Sequence, residues 1–155
     1  MADSPAVIDI EGLLEAQRKG EQVVSDLRGE PFLNAMRTAV LLVQRDAKRL
    51  APVDTGLLRA SIMPEVRAQD RTVQGVVGSN VTYAAAVELG SRPHMPPLAA
   101  LEAWAARHGT TARAVARGIA MHGTRPRAFL SGALEENQDR VVELLGDGVT
   151  GIINT

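Results

Sequence analysis

The sequence predicts an α+β fold: a small, mainly antiparallel sheet packed by a long helix of the N-terminal half and by a C-terminal helix, with a helix pair inserted between sheet and C-terminus. Three observations carry this. Leu33, Met36, Val40, Val43, Ala47 and Leu50 recur at three and four residues, the spacing of one helix face. Downstream of Pro52 the spacing changes: Leu58, Ala60 and Ile62 alternate with Arg59 and Ser61, as along a strand. From Phe129 the helical spacing returns.

The chain of 155 residues suits one domain, 1–155, with a real core. Aromatic residues make up only 3%, so that core is aliphatic. The absence of cysteine removes disulfides, thiolate metal sites and cysteine nucleophiles. A net charge of −1 gives no global attraction to nucleic acid or to an acidic membrane. No apolar run reaches the roughly 20 residues that span a bilayer, and Met1-Ala2-Asp3-Ser4 lacks the start of a signal peptide. The expectation is a cytoplasmic soluble protein.

The elements follow in order. Ala6 to Ile10 reads as extended and Leu13 to Leu27 as a modest helix weakened by Gly20. Gly29 ends it and Pro31 opens the long helix, which closes with Lys48 and Arg49 where the helix dipole favours cations. In the joint Ala51 to Ile62, Pro52 pushes Ala51 to an extended conformation. Asp54 and Thr55 close a turn onto nearby backbone, and Gly56 permits a backbone that a side chain forbids. Leu58 to Ala68 reads as a strand, with Pro64 arguing for an edge or a bulge. Gln69-Asp70-Arg71 turns the chain and Thr72 to Gly78 returns as the second strand of a hairpin. Tyr83 to Leu89, stopped by Gly90, reads as a short helix, with a third strand as the competing possibility. Ser91 to Pro97 holds three prolines and is an extended arm.

Residues 98–122 form the inserted helix pair: Leu98, Leu101, Trp104 and Ala105 mark one helix, ending at Gly109. Val115 and Ile119 mark the next, capped by Thr110 or Thr111 and stopped by Gly123. Gly123 to Ala128 is extended around Pro126. The last helix runs from Phe129 to about Leu145, with Leu130, Leu134, Val141 and Leu145 on its apolar face. Gly146, Gly148 and Gly151 make 146–155 a flexible tail.

Reacting groups are scarce. His94, His108 and His122 have no metal-ligand spacing. Asp54-Thr55-Gly56 is explained as a turn, and Ser61, Ser79 and Ser91 lack a nucleophile elbow. No phosphate loop is present. Glu88, on an apolar short helix, is the one acid to watch, read as a charge bonded to a neighbouring loop. No catalytic residue, cofactor or metal is expected. Charge is distributed unevenly: from Arg107 through Arg113, Arg117, Arg125 and Arg127 there is no acid, whereas Glu135, Glu136, Asp139 and Glu143 face Arg140 alone. Solvated faces explain this, and so do complementary surfaces on neighbouring subunits, with Arg125 and Arg127 meeting Glu135, Glu136, Asp139 and Glu143.

The order Ala51-Pro52-Val53-Asp54-Thr55-Gly56-Leu57-Leu58-Arg59, a hairpin, Tyr83-Ala84, Val87-Glu88-Leu89-Gly90-Ser91 and Pro96-Pro97 resembles the neck or tail-completion (head–tail joining, minor tail component) proteins of long-tailed bacteriophages and prophages. Gly123-Thr124-Arg125-Pro126-Arg127-Ala128-Phe129-Leu130 resembles the same family's closing motif, and the resemblance spans roughly Phe32 to Leu145. It implies a virion protein and no enzyme. Such a subunit forms a homo-oligomeric ring, six-fold rather than twelve-fold, between the connector or stopper of the head and the terminator or tube of the tail. DNA passes through its channel without sequence-specific binding. It implies a place in the virion neck or tail, and the host cytoplasm during assembly. Structural roles fall to Pro52, Asp54, Thr55, Gly56, Leu58, Tyr83, Glu88, Gly90, Pro126 and Phe129, with Tyr83, Val87 and Leu89 locking the short helix onto the sheet. The rival readings are a tail terminator ring, a nucleic-acid-binding module using Arg107 to Arg127, and a small hydrolase around Asp54, Glu88 and His94.

Overall fold

The computed structural model describes residues 29–69 and 72–153; the expected strand at Ala6 to Ile10 and helix at Leu13 to Leu27 lie outside them. The described elements are α1 (Glu30–Leu50), α2 (Leu57–Ser61), β1 (Ile62–Gln69), β2 (Thr72–Ser79), α3 (Ala84–Leu89), α4 (Leu98–Arg107), α5 (Ala112–His122) and α6 (Phe129–Ile153). The architecture is α+β: a two-stranded antiparallel sheet packs against α1, α6 packs along α1, and α4 and α5 are inserted between α3 and α6.

Helix α1 forms as its spacing requires, with Pro31 in its first turn and Val40, Val43 and Ala47 buried. Pro52 ends it: Ala51 is extended, and its N–H still reaches the carbonyl of Ala47 at 2.9 Å.

The joint departs from expectation. Leu57–Ser61 is a turn of helix, and the strand begins only at Ile62. Leu58 and Ile62 are both buried, but they are four residues apart, a spacing that a helical turn satisfies as well as an alternating strand does. Ala60, which a strand would have buried beside them, is exposed. Gly56 opens the turn at φ 84°, in the left-handed region, and its carbonyl accepts the Ala60 N–H at 2.9 Å.

The hairpin pairs Ile62 with Ser79 through Gln69 with Thr72 in unbroken register. Among the described residues the sheet has two strands, so each has a free edge, which accommodates Pro64 without a bulge. At Gly75 the hairpin comes so close to α1 that a Cβ there would stand 2.6 Å from Val40 Cγ1.

The core joins Val43, Ala47 and Ala51 to Leu58 and Ile62, then to Ala84 of α3 and to Phe129 and Ala133 of α6. Two expectations about α6 are corrected. Its buried stripe is Phe129, Ala133, Asn137 and Gly148, with Val141 half-buried; Leu134 is 52% exposed. The segment read as a flexible tail from residue 146 continues the helix to Ile153. Gly148 explains the second point: a Cβ there would lie 2.8 Å from Cβ of Ala35, so its missing side chain lets α6 lie against α1. Packing outweighs the cost of about 1 kcal/mol that each helical glycine carries. Asn137 is buried because it donates to the carboxylate of Asp46 at 2.8 Å and to the carbonyl of Ala133 at 2.8 Å. Asp46 also accepts from Arg45 and Arg49. The Arg45 guanidinium, then Asn137, hold its carboxyl well below the usual carboxylate range.

Candidate functional site

Three features stand out on the described surface. The first is a clamp. Ser91 and Thr124 exchange both backbone hydrogen bonds, at 3.1 and 3.0 Å, and their hydroxyls meet at 3.0 Å. A glycine flanks each of them, Gly90 (φ 71°, ψ −178°) and Gly123 (φ 67°, ψ −159°), in a backbone region that is essentially glycine-only. A Cβ at Gly123 would meet the Ser91 carbonyl oxygen at 2.0 Å; one at Gly90 would meet the Thr124 carbonyl oxygen at 2.4 Å and the Pro126 nitrogen at 2.9 Å. The clamp therefore closes the base of the α4–α5 insertion. The arm from Ser91 to Pro97 is fixed to it at its start, and His94 N–H reaches the Ile119 carbonyl at 3.4 Å.

The second feature is Glu88. Its carboxylate accepts from the N–H of Leu130 at 2.8 Å, from the N–H of Ser131 at 2.9 Å and from the Ser131 hydroxyl at 2.6 Å. It thus caps the first turn of α6, whose N–H groups have no partner inside the helix. Burial alone would push this carboxyl up, but the Ser131 hydroxyl and the backbone N–H donors outweigh it and hold the carboxyl below its ordinary value. The carbonyls of Val87 and Glu88 accept the N–H groups of Arg127 and Ala128, which tie the extended segment to α3. Ala128 takes φ 46° to turn into α6, and Phe129 beyond it is completely buried.

The third feature is charge. Asp54 does not close its own turn: its carboxylate takes both arms of the Arg107 guanidinium, with Nε at 2.9 Å, and so links the joint to α4. That guanidinium holds the Asp54 carboxyl below its ordinary value. The Thr55 hydroxyl does stay local, accepting the Leu57 N–H at 3.5 Å. Of the four acids read as one face, Glu136 pairs with Arg49 of α1, and Glu143 with Arg140 of its own helix. Glu135 and Asp139 have no side-chain partner among the described residues, and neither do Arg113, Arg117, Arg125 and Arg127. Arg125 and Arg127 lie exposed on the segment below the clamp.

Of the three anchors expected for α3, Val87 packs on the core and Tyr83 and Leu89 do not. Tyr83 is 44% and Leu89 75% exposed, whereas Ala84 is buried and Val81 and Val87 pack on the core. Two of the three histidines are used locally: His94 Nδ1 faces the Arg92 carbonyl at 2.9 Å, and His108 stacks on Trp104 with ring centroids 4.0 Å apart. Thr111, not Thr110, caps α5, accepting from the Ala114 N–H at 3.2 Å. Asp54, Glu88 and His94 each serve a different contact, so no acid–base constellation forms from them. Among the described residues no group of three or more acids and histidines could hold a metal ion, and no helix is long and apolar enough to cross a membrane. An open apolar groove of about 410 Å³ lies between α1, β2 and α6, lined by Met36, Val40, Val77, Leu130, Leu134 and Val141. It offers Glu88 and Ser131 as polar groups, and these already bind each other.

No curated protein and no solved structure gives a significant match to the chain. A family model does match, over residues 30–90, from the start of α1 through the joint, the hairpin and α3 to the first clamp glycine. Over that span, less than half of the chain, the sequence is similar to the HK97-gp10-like family, described as "Bacteriophage HK97-gp10, putative tail-component".

Proposed function

We propose that this protein is a structural component of a long-tailed phage or prophage, acting in the neck, where it forms a ring that joins tail to head and leaves a channel for DNA. The observation that carries the reading is the family match over α1, the joint, the hairpin and α3. The surface agrees with it: Glu88, Asp54 and the three clamp hydrogen bonds all serve to fix elements to one another. On this reading the protein is a virion subunit and no enzyme, and it meets a head connector on one side and a tail terminator or tube on the other. The family description speaks of the tail alone, which favours one second reading, a terminator ring that caps the tail tube.

Deleting the coding segment from its phage separates the two. A neck subunit leaves full heads and tails of normal length that do not join; a terminator leaves tails of uncontrolled length. Electron microscopy of the lysate reads either result. Joined, infectious particles without the protein would overturn both.

A further inference from the structure

The unpaired charges of α5 and α6 repeat one another's spacing. On α5, Arg113, Arg117 and Met121 are exposed at intervals of four residues, and Met121 is 59% exposed. On α6, Glu135 and Asp139 are exposed four residues apart, and Val142, 66% exposed, follows on the same face. In each helix the two charges stand about 6 Å apart along the axis. The apolar residue follows the second charge by about 6 Å on α5 and about 4.5 Å on α6. At 100° per residue both sets lie within a stripe of about 80°. Neither stripe has a charge partner in its own chain among the described residues, because Arg49 and Arg140 already take Glu136 and Glu143.

We infer that α5 of one copy docks in parallel on α6 of the next, with Arg113 against Glu135, Arg117 against Asp139 and Met121 against Val142. The inference rests on the ring reading above and names its subunit contact. The occupant is a second copy because the complementary stripe is on this same chain. The contact is heterologous, one surface meeting a different one, as a closed ring requires. The parallel alignment brings Met121 against Val142, whereas the antiparallel one pairs the charges but leaves these two apolar residues at opposite ends of the contact. Arg125 and Arg127 sit on an extended segment without that helical spacing and do not form the contact. A phosphate-binding role for Arg113 and Arg117 is disfavoured by the exposed apolar Met121 that continues their stripe, and by the absence of Phe, Tyr or Trp from 105 to 128.

The test uses four full-length proteins in sedimentation and negative-stain microscopy: the parent, Arg113→Glu with Arg117→Glu, Glu135→Arg with Asp139→Arg, and Arg125→Glu with Arg127→Glu as comparator. Each of the first two double reversals should stay folded by circular dichroism and associate at least about tenfold more weakly than the parent. Mixed one to one, they should recover rings, since each then presents the charge that the other lacks; misfolded subunits could not. The comparator should assemble as the parent does. Reversals that form parental rings, or a mixture that stays dissociated, overturn the contact and leave the ring standing. A parent that stays monomeric, alone and on purified tails, removes ring and contact together. If Arg113→Glu with Arg117→Glu abolishes a DNA mobility shift and leaves assembly unchanged, the stripe serves phosphates and the contact is wrong.

Discussion

Replacing Gly123 by Ala should open the clamp without unfolding the molecule. At φ 67°, ψ −159° a side chain costs about 1–3 kcal/mol in backbone strain. The new Cβ would also stand 2.0 Å from the Ser91 carbonyl oxygen, a backbone atom that cannot swing aside. Relief requires Ser91 and Thr124 to part, with the loss of two backbone hydrogen bonds at about 1 kcal/mol each. The sum is about 3–5 kcal/mol, but the chain can limit its loss by separating only at the clamp. Amide exchange should therefore quicken at Ser91 and Thr124, which donate across the clamp, while Val43 and Ala47 in the core of α1 stay protected. Gly118 provides the control. It lies inside α5 with nothing within 4 Å of a built Cβ, so Ala there should stabilise by about 1 kcal/mol. If Gly123→Ala leaves urea stability within about 0.5 kcal/mol of the parent and exchange at Ser91 and Thr124 unchanged, the reasoning from geometry is wrong.

Glu88→Gln removes the charge that caps α6 and should cost about 1–2 kcal/mol at neutral pH by urea unfolding. Because the folded Glu88 carboxyl lies below its ordinary 4.5, its contribution is present above that value and lost as pH falls through the lower folded one; the gap between parent and variant should narrow in acid, and a constant gap would show that charge is not the cause. Gly148→Val should cost about 2 kcal/mol, because the side chain meets Ala35 across the α1–α6 contact; an unchanged unfolding midpoint would mean that the two helices do not lie together there.

Much of the fold was legible where local spacing and packing agree. Helix α1 repeats its apolar residues over several turns, and no other regular structure buries Val40, Val43 and Ala47 together. The joint was misread because Leu58 and Ile62 suit two periods, and only the exposed Ala60 separates them. The face of α6 was misread for another reason. Reading by size favours Leu134, but the space beside α1 admits Ala133, Asn137 and Gly148, and which residues fit there depends on a helix a hundred residues away. The same holds for the candidate site. Gly90 and Gly123 were legible as helix stops, but their clamp was not, though each is followed by a hydroxyl residue, Ser91 and Thr124, a symmetry that could have signalled a pairing. The acids of α6 read as one face because a wheel cannot show that Arg49 reaches Glu136.

The family match ends at Gly90, but the structural unit does not. Within residues 30–90 the hairpin packs on α1, and the core that Val43 and Ala47 share with Leu58 and Ile62 is completed by Phe129 and Ala133 from outside the match. Glu88 lies inside the match and its role lies outside it, at the first turn of α6. Gly90 lies at the boundary, and the backbone it admits is that of Thr124 and Pro126. Each of these residues is accounted for only if α6 and the clamp are present, so residues 30–90 alone would expose an apolar helix face and a carboxylate without donors. What can vary without disturbing this arrangement is the chain between the two halves of the clamp. The α4–α5 insertion buries Ala105 and Ala116 and meets the rest through the Asp54–Arg107 pair and the clamp. Such a module can carry its own exposed stripe, Arg113, Arg117 and Met121, and change it without cost to the core. That is the property expected of the part that selects a neighbour.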